Sequence, residues 1–124
     1  MKNNRCCPTD PDMKMAWENG LQKDLNSLKN VHIGEMAVLL KILGNPLRLQ
    51  VIMLLLKRDY CVCELVYLLK EKHNLISYNL SILKKHQIVG SYNRSKGKFY
   101  KLNLDGSAMP LIKYIKENMT VDLI

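Results

Sequence analysis

Residues Leu75-Ile76-Ser77-Tyr78-Asn79-Leu80-Ser81-Ile82-Leu83-Lys84-Lys85 carry the reading of the whole chain. Ile76, Leu80 and Leu83 recur at i, i+4 and i+7, which makes one apolar stripe of a helix. Asn74 stands where its side chain can cap the first turn. The face opposite the stripe is Ser77, Tyr78, Ser81, Lys84 and Lys85. A duplex major groove admits one helix, short polar side chains bond to base edges, and lysines hold phosphates. Asn74, Ser77, Tyr78, Asn79, Ser81, Lys84 and Lys85 are therefore the candidate DNA contacts of this helix.

Upstream, Glu64, Leu65, Leu68 and Leu69 predict a short helix, separated from the first by the polar run Lys70 to Asn74 and preceded by a connection at Arg58-Asp59-Tyr60. Asn45 offers a side-chain cap and Pro46 suits a first helical position, so another helix is expected from Pro46 to about Lys57, with Leu49, Ile52, Met53 and Leu56 inward. Before it, Ile33, Met36, Ala37, Leu40 and Leu43 recur at three and four and predict a buried helix that ends with Gly44 in a left-handed cap. Residues 13 to 30 read as a further helix interrupted at Asn19-Gly20, in which Met13, Met15 and Trp17 are packing residues. Downstream, Ile88 to Asn93 and Lys98 to Leu104 flank Arg94-Ser95-Lys96-Gly97 and predict a hairpin. Its tip brings Arg94, Lys96 and Lys98 to the neighbouring backbone or minor groove. A last helix, about Met109 to Met119, carries Leu111, Ile112, Ile115 and Met119, a stripe suited to core or to a dimer seam. The order predicts a mainly α fold with a small β-hairpin wing: a winged helix-turn-helix that dimerises through its terminal helices. Residues 1–12, with Pro8, Pro11 and no apolar period, are expected to be a mobile arm, and 13–124 a single domain.

Composition narrows the partner. The 124 residues include 19 basic and 11 acidic side chains, a formal net charge of +8. From Lys70 to Lys101 there are eight basic residues against the single acid Glu71, so one quarter of the chain holds +7. A clustered excess of this kind suits a polyanion whose counterions are released on contact. The longest apolar runs, Met36 to Leu40 and Val51 to Leu56, fall far short of the roughly 20 residues a bilayer span requires. The basic start Met1 to Arg5 is followed by Cys-Cys-Pro-Thr-Asp-Pro-Asp instead of an apolar signal core, so a cytoplasmic location is expected and no membrane partner.

Three segments resemble the ArsR/SmtB metalloregulatory repressors. Leu43-Gly44-Asn45-Pro46-Leu47-Arg48-Leu49 is similar to that family's Leu-Gly-Asp/Asn-Pro-Thr-Arg-Leu, Cys61-Val62-Cys63-Glu64-Leu65 to its metal box, and Leu75 to Lys85 to its recognition helix. The similarity runs from about Gly34 to Leu104. It implies a homodimer that represses its own operator, a stretch of double-stranded DNA, and releases it when metal binds; it implies no enzyme activity and no organic substrate. Lys70 stands where the family usually has Gly, Glu71 where it has an apolar residue, and Asn79 where His is common. The turn before the recognition helix is accordingly expected to be altered but kept.

Four cysteines, Cys6, Cys7, Cys61 and Cys63, suit ligand or redox chemistry better than structural disulfides. Residues two apart on a regular helix point about 200° from each other, so Cys61 and Cys63 can share one ion only at an extended or unwound helix start, and Asp59-Tyr60 puts them at such a start. Two thiolates do not complete a site, because a tetrahedral ion takes four ligands. In one branch of the family cysteines of an N-terminal extension complete the metal box, and Cys6 and Cys7 resemble that contribution. The expected effector is a thiophilic ion such as Cd(II), Pb(II) or As(III). The arsenite-type spacing would put a third cysteine at Val66, and the family's second site would need a His after Asp105; neither is present. His32, His73 and His86 are isolated and suit surface or capping roles. Two alternatives keep DNA binding: a thiol redox or persulfide switch, and a metal-independent regulator in which the cysteines are small apolar groups. A thiol oxidoreductase is disfavoured, because Cys61 and Cys63 lack Cys-x-x-Cys spacing.

Overall fold

The structure, a computed structural model, describes residues 7–119. The chain divides into two compact units, one ending at Met36 and one beginning at Ala37, so the division falls inside a helix.

The first unit is built on α1 (Pro11–Lys29). The Asp10 carboxylate accepts a hydrogen bond from the Met13 N–H at 3.1 Å, and Pro11 begins the helix where its missing N–H costs nothing. That cap starts the helix two residues earlier than its apolar pattern indicates, and it runs through Asn19-Gly20 without a break. No residue of α1 is buried: Met13, Met15, Leu21, Leu25 and Leu28 are all exposed, and Trp17 is half-buried. The expected packing role of Met13 and Met15 is thus not met among the described residues.

α2 (Ile33–Leu43) is buried only at its end, through Ile42 and Leu43. Ile33, Met36 and Leu40, expected inside, are exposed. Apolar residues surround this helix on nearly every side, so spacing alone could not choose the inward face. Gly44 is not left-handed; among the described residues no glycine has positive φ. A Cβ at Gly44 would stand 3.1 Å from the Leu40 carbonyl oxygen, so the close approach, not the dihedral, favours glycine.

In the second unit, α3 (Pro46–Lys57) has its expected limits, with the Asn45 Oδ1 accepting from the Arg48 N–H at 3.1 Å. Its inward face is Val51, Ile52 and Leu55, turned from the expected Leu49, Ile52, Met53 and Leu56. Then come β1 (Tyr60–Cys61), α4 (Val62–Leu69) and α5 (His73–Lys85). Lys72 precedes α5 without a side-chain cap, so Asn74 is inside the helix and does not cap it. β2 (Val89–Arg94) and β3 (Gly97–Leu102) form the hairpin, and α6 (Met109–Met119) follows with its expected limits.

The sheet order is β1-β3-β2, all antiparallel. Tyr60 pairs with Tyr100 and Cys61 with Phe99, a third strand in what the sequence reads as a connection. Val51, Ile52, Leu65, Ile76, Leu80, Leu83, Ile88 and Ile112 are almost wholly buried and form the centre of the core. Each such side chain contributes about 1.5–3 kcal/mol by leaving water. Ile112, at 1% exposure, belongs to this core and is not available for a dimer seam. The three helices α3, α4 and α5 with a wing from β2 and β3 make a winged helix-turn-helix, as the sequence predicts. No single helix among the described residues is long and apolar enough to cross a membrane.

Candidate nucleic-acid interface and thiol pair

The turn between α4 and α5 is kept by a strained residue. Lys70 ends α4 at φ 54°, ψ 45°, the left-handed region, and its N–H bonds to the Val66 carbonyl at 2.8 Å. A side chain in that region costs about 1–2 kcal/mol that glycine would avoid. α5 leaves this turn with Ile76, Leu80 and Leu83 inward, which fixes what points outward.

Tyr78 points outward, 62% exposed. Asn74, Ser81, Lys84 and Lys85 are exposed and Ser77 is half-buried. The Ser81 hydroxyl donates to the Tyr78 carbonyl at 2.6 Å, and Ser77 Oγ is 3.5 Å from His73 Nδ1. Lys84 Nζ donates to Ser91 Oγ at 2.7 Å and so bridges the helix to the wing. Asn79 is the exception. It is 4% exposed and hydrogen-bonded to Arg48, so it does not lie on the outward face where base contacts are expected.

The wing holds its cations over aromatic rings. Arg94 lies 5.8 Å from the centre of the Phe99 ring, and Lys98 lies 5.8 Å from that of Tyr100. Lys96 is exposed at the turn, where Ser95 takes a left-handed φ of 54°. Lys101, 5.8 Å from the Tyr92 ring centre, extends the series; in the sequence only its charge is visible. Tyr92 and Phe99 stack at 6.0 Å. The Tyr92 hydroxyl donates to Asp59 Oδ2 at 2.6 Å, and this hydrogen bond, with burial and the carboxylate charge, raises the phenol pKa above its ordinary value. Cation–π contacts hold these side chains over the rings, so the wing presents its positive charge along the strands.

Cys61 is the last residue of β1 and the N-cap of α4, with extended backbone at φ −90°, ψ 168°. Its N–H donates to the Glu64 carboxylate at 3.0 Å. Cys63 follows at the second position of the helix and is exposed, whereas Cys61 is half-buried. Both are free thiols. The extended start that two neighbouring ligands require is therefore present. Beside it, Arg58, Tyr60, Cys63, Glu64, Tyr67 and Leu68 line an open cavity of about 390 Å³, with the Arg58 guanidinium 4.8 Å from the Tyr60 ring centre. Among the described residues no three His, Cys, Asp or Glu side chains gather as a metal site. Cys7 is exposed with φ 49°, and Cys6 lies outside the described residues.

Residues 45–91 match the sequence profile of the bacterial regulatory proteins of the arsR family. The transcriptional repressor BigR from Xylella fastidiosa is a similar solved structure: 27% identity, 77% of this chain and 90% of that one, TM-score 0.63. The transcriptional regulator HlyU from Vibrio vulnificus CMCP6 is similar at 25% identity over 80% of this chain and 96% of its own, TM-score 0.60. The homodimeric winged helix-turn-helix domain Mb0332 from Mycobacterium bovis shares the fold at 22% identity, 68% of this chain and 78% of that one, TM-score 0.60. No curated protein matches the sequence.

Proposed function

We propose, from the premise that residues 45–91 are an arsR-family regulatory domain, that this chain is a cytoplasmic, homodimeric repressor whose grip on double-stranded operator DNA is relieved by a thiophilic ion such as Cd(II), Pb(II) or As(III). Tyr78, Ser77, Ser81 and Asn74 read the major groove, Lys84 and Lys85 hold phosphates, and Arg94, Lys96 and Lys98 engage the flanking backbone. It acts by binding, not by catalysis. Exposed apolar residues of α1 support self-association, since a second copy would take Met13, Leu21 and Leu25 out of water.

The observation that carries the sensing half is the position of Cys61. It is paired with Phe99 of the wing and stands one residue before α4, so a displacement there reaches both DNA-contacting elements. Cys61 and Cys63, joined by Cys6 or Cys7, are the residues that would hold the ion. A soft ion supplies strong bonds to thiolates when bound. A coupling of about 1–3 kcal/mol between ion and DNA corresponds to a 5- to 150-fold change in affinity.

The test uses reduced protein and a duplex selected by the protein from a random-sequence pool. Cd(II) should weaken binding by the wild type within that range and leave Cys61→Ser unchanged. An equal response in both proteins would overturn the metal reading. A second reading, a thiol redox or persulfide switch, is supported by two free thiols at one junction, Cys61 half-buried and Cys63 exposed. Mass spectrometry after mild oxidation separates it from thiolate-to-metal absorption in reduced protein.

A further inference from the structure

Asn79 is the one buried polar side chain among the described residues, and both ends of its amide are engaged. Its Nδ2 donates to the Leu75 carbonyl at 2.9 Å, one turn back in α5. Its Oδ1 accepts from Arg48 Nη1 at 2.9 Å, across 31 positions of sequence. Arg48 in turn donates through Nε to the Ile42 carbonyl at 2.9 Å. That carbonyl belongs to the last turn of α2, where the helix leaves its own acceptors unsatisfied. The Arg48 N–H is held by Asn45 at the start of α3. One guanidinium therefore ties the end of α2 and the first turn of α3 to the middle of the recognition helix.

We infer that Asn79 and Arg48 form a clamp that sets the rotation of α5 about its own axis, and that Asn79 is a positioning residue for DNA reading instead of a base contact. Apolar packing through Ile76, Leu80 and Leu83 holds the helix on the core but tolerates small rotations, because dispersion contacts are not directional. A hydrogen bond from a charged donor is directional and strong. Tyr78 is adjacent to Asn79 and points to solvent, so a rotation that released Asn79 would carry Tyr78 off its base edge. Lysine contacts to phosphates, made by long side chains, would adapt.

This inference rests on the DNA-binding reading above, and its test separates the two. A duplex selected from a random pool by the wild type, and a scrambled duplex of equal length, are titrated with wild type, Asn79→Leu, Arg48→Met and the double variant, well below each melting temperature. Each single variant should lose roughly 10- to 100-fold in affinity for the selected duplex, the scale of one charge-assisted hydrogen bond. Affinity for the scrambled duplex and the salt dependence should stay unchanged, and the double variant should be no worse than either single one. Repeating the selection should give the same preferred sequence. Should Arg48→Met not fold, Arg48→Lys, which keeps the charge and loses the fork, takes its place with the same expectation. A changed base preference at one position in Asn79→Leu alone would make Asn79 a base reader and overturn the clamp. Equal losses on both duplexes would reduce it to a structural contact and also overturn it. If the wild type selects no sequence, the DNA-binding reading itself fails.

Discussion

Helices α1 and α5 meet solvent in opposite ways. α1 has 19 residues and buries none, although Met13, Leu21, Leu25 and Leu28 give it an apolar share. α5 has 13 residues and buries Ile76, Asn79, Leu80 and Leu83. The same chemistry, leucine and methionine at helical spacing, yields a structural helix in one case and an uncovered one in the other. Apolar periodicity states that a face must be covered; it does not state whether the same chain covers it. The recognition helix draws its rigidity from a core within its own unit. The cover proposed above for α1 is a second copy of the chain.

The largest effect should come from a change that strikes one helix and its counterpart in the other. Leu80→Ala in α5 should cost about 2–5 kcal/mol in urea unfolding, because a wholly buried leucine leaves a cavity. Leu25→Ala in α1 should stay within about 0.5 kcal/mol in dilute protein, and weaken self-association at high concentration in sedimentation. A large loss for Leu25→Ala at low concentration would break the contrast.

A smaller effect concerns the turn that delivers α5. Lys70→Gly should stabilise the chain by about 1 kcal/mol or somewhat less, since relief of left-handed strain is partly offset by the freer unfolded glycine. Thermal melting of the variant measures it, and a lower melting temperature would show that the Lys70 side chain contributes contacts of its own.

The smallest effect is one of pH at the wing. The hydrogen bond to Asp59 raises the Tyr92 pKa above 10.0, so the folded state favours the protonated phenol. Its contribution is present below the ordinary tyrosine value and is lost as pH rises through the folded one. Tyr92→Phe should lower stability slightly near neutral pH, converge with wild type in strong alkali, and remove a component above the ordinary tyrosine value from a spectrophotometric tyrosine titration. A variant with an unchanged titration would place the late phenol elsewhere.

How far the site was legible varies residue by residue. Asn45 and Pro46 mark the start of α3 because a cap and a fixed φ act locally, and the hairpin is legible from a polar loop between two β-prone runs. The extended start at Cys61 meets the condition that the spacing of the two thiols sets for sharing one ion. By contrast, the inward face of α3 is not legible, since Val51 to Leu56 are all apolar and any rotation buries something. β1 was missed because two residues carry no periodicity, and pairing with Phe99 is made across 38 positions of sequence. The burial of Asn79 is not legible, because in sequence an amide on a polar helix looks the same whether it faces a groove or an arginine.

The amino-acid order by itself determined the limits of α3 and α6, which segment is basic, and that a helix-turn-helix with a wing results, since caps, turns and charge depend on near neighbours. Only the tertiary structure decided which way each helix is turned, that Arg48 holds Asn79, and that Cys61 lies against the wing. Those relations join residues far apart in sequence, and their energies exist only once the packing has brought the partners together.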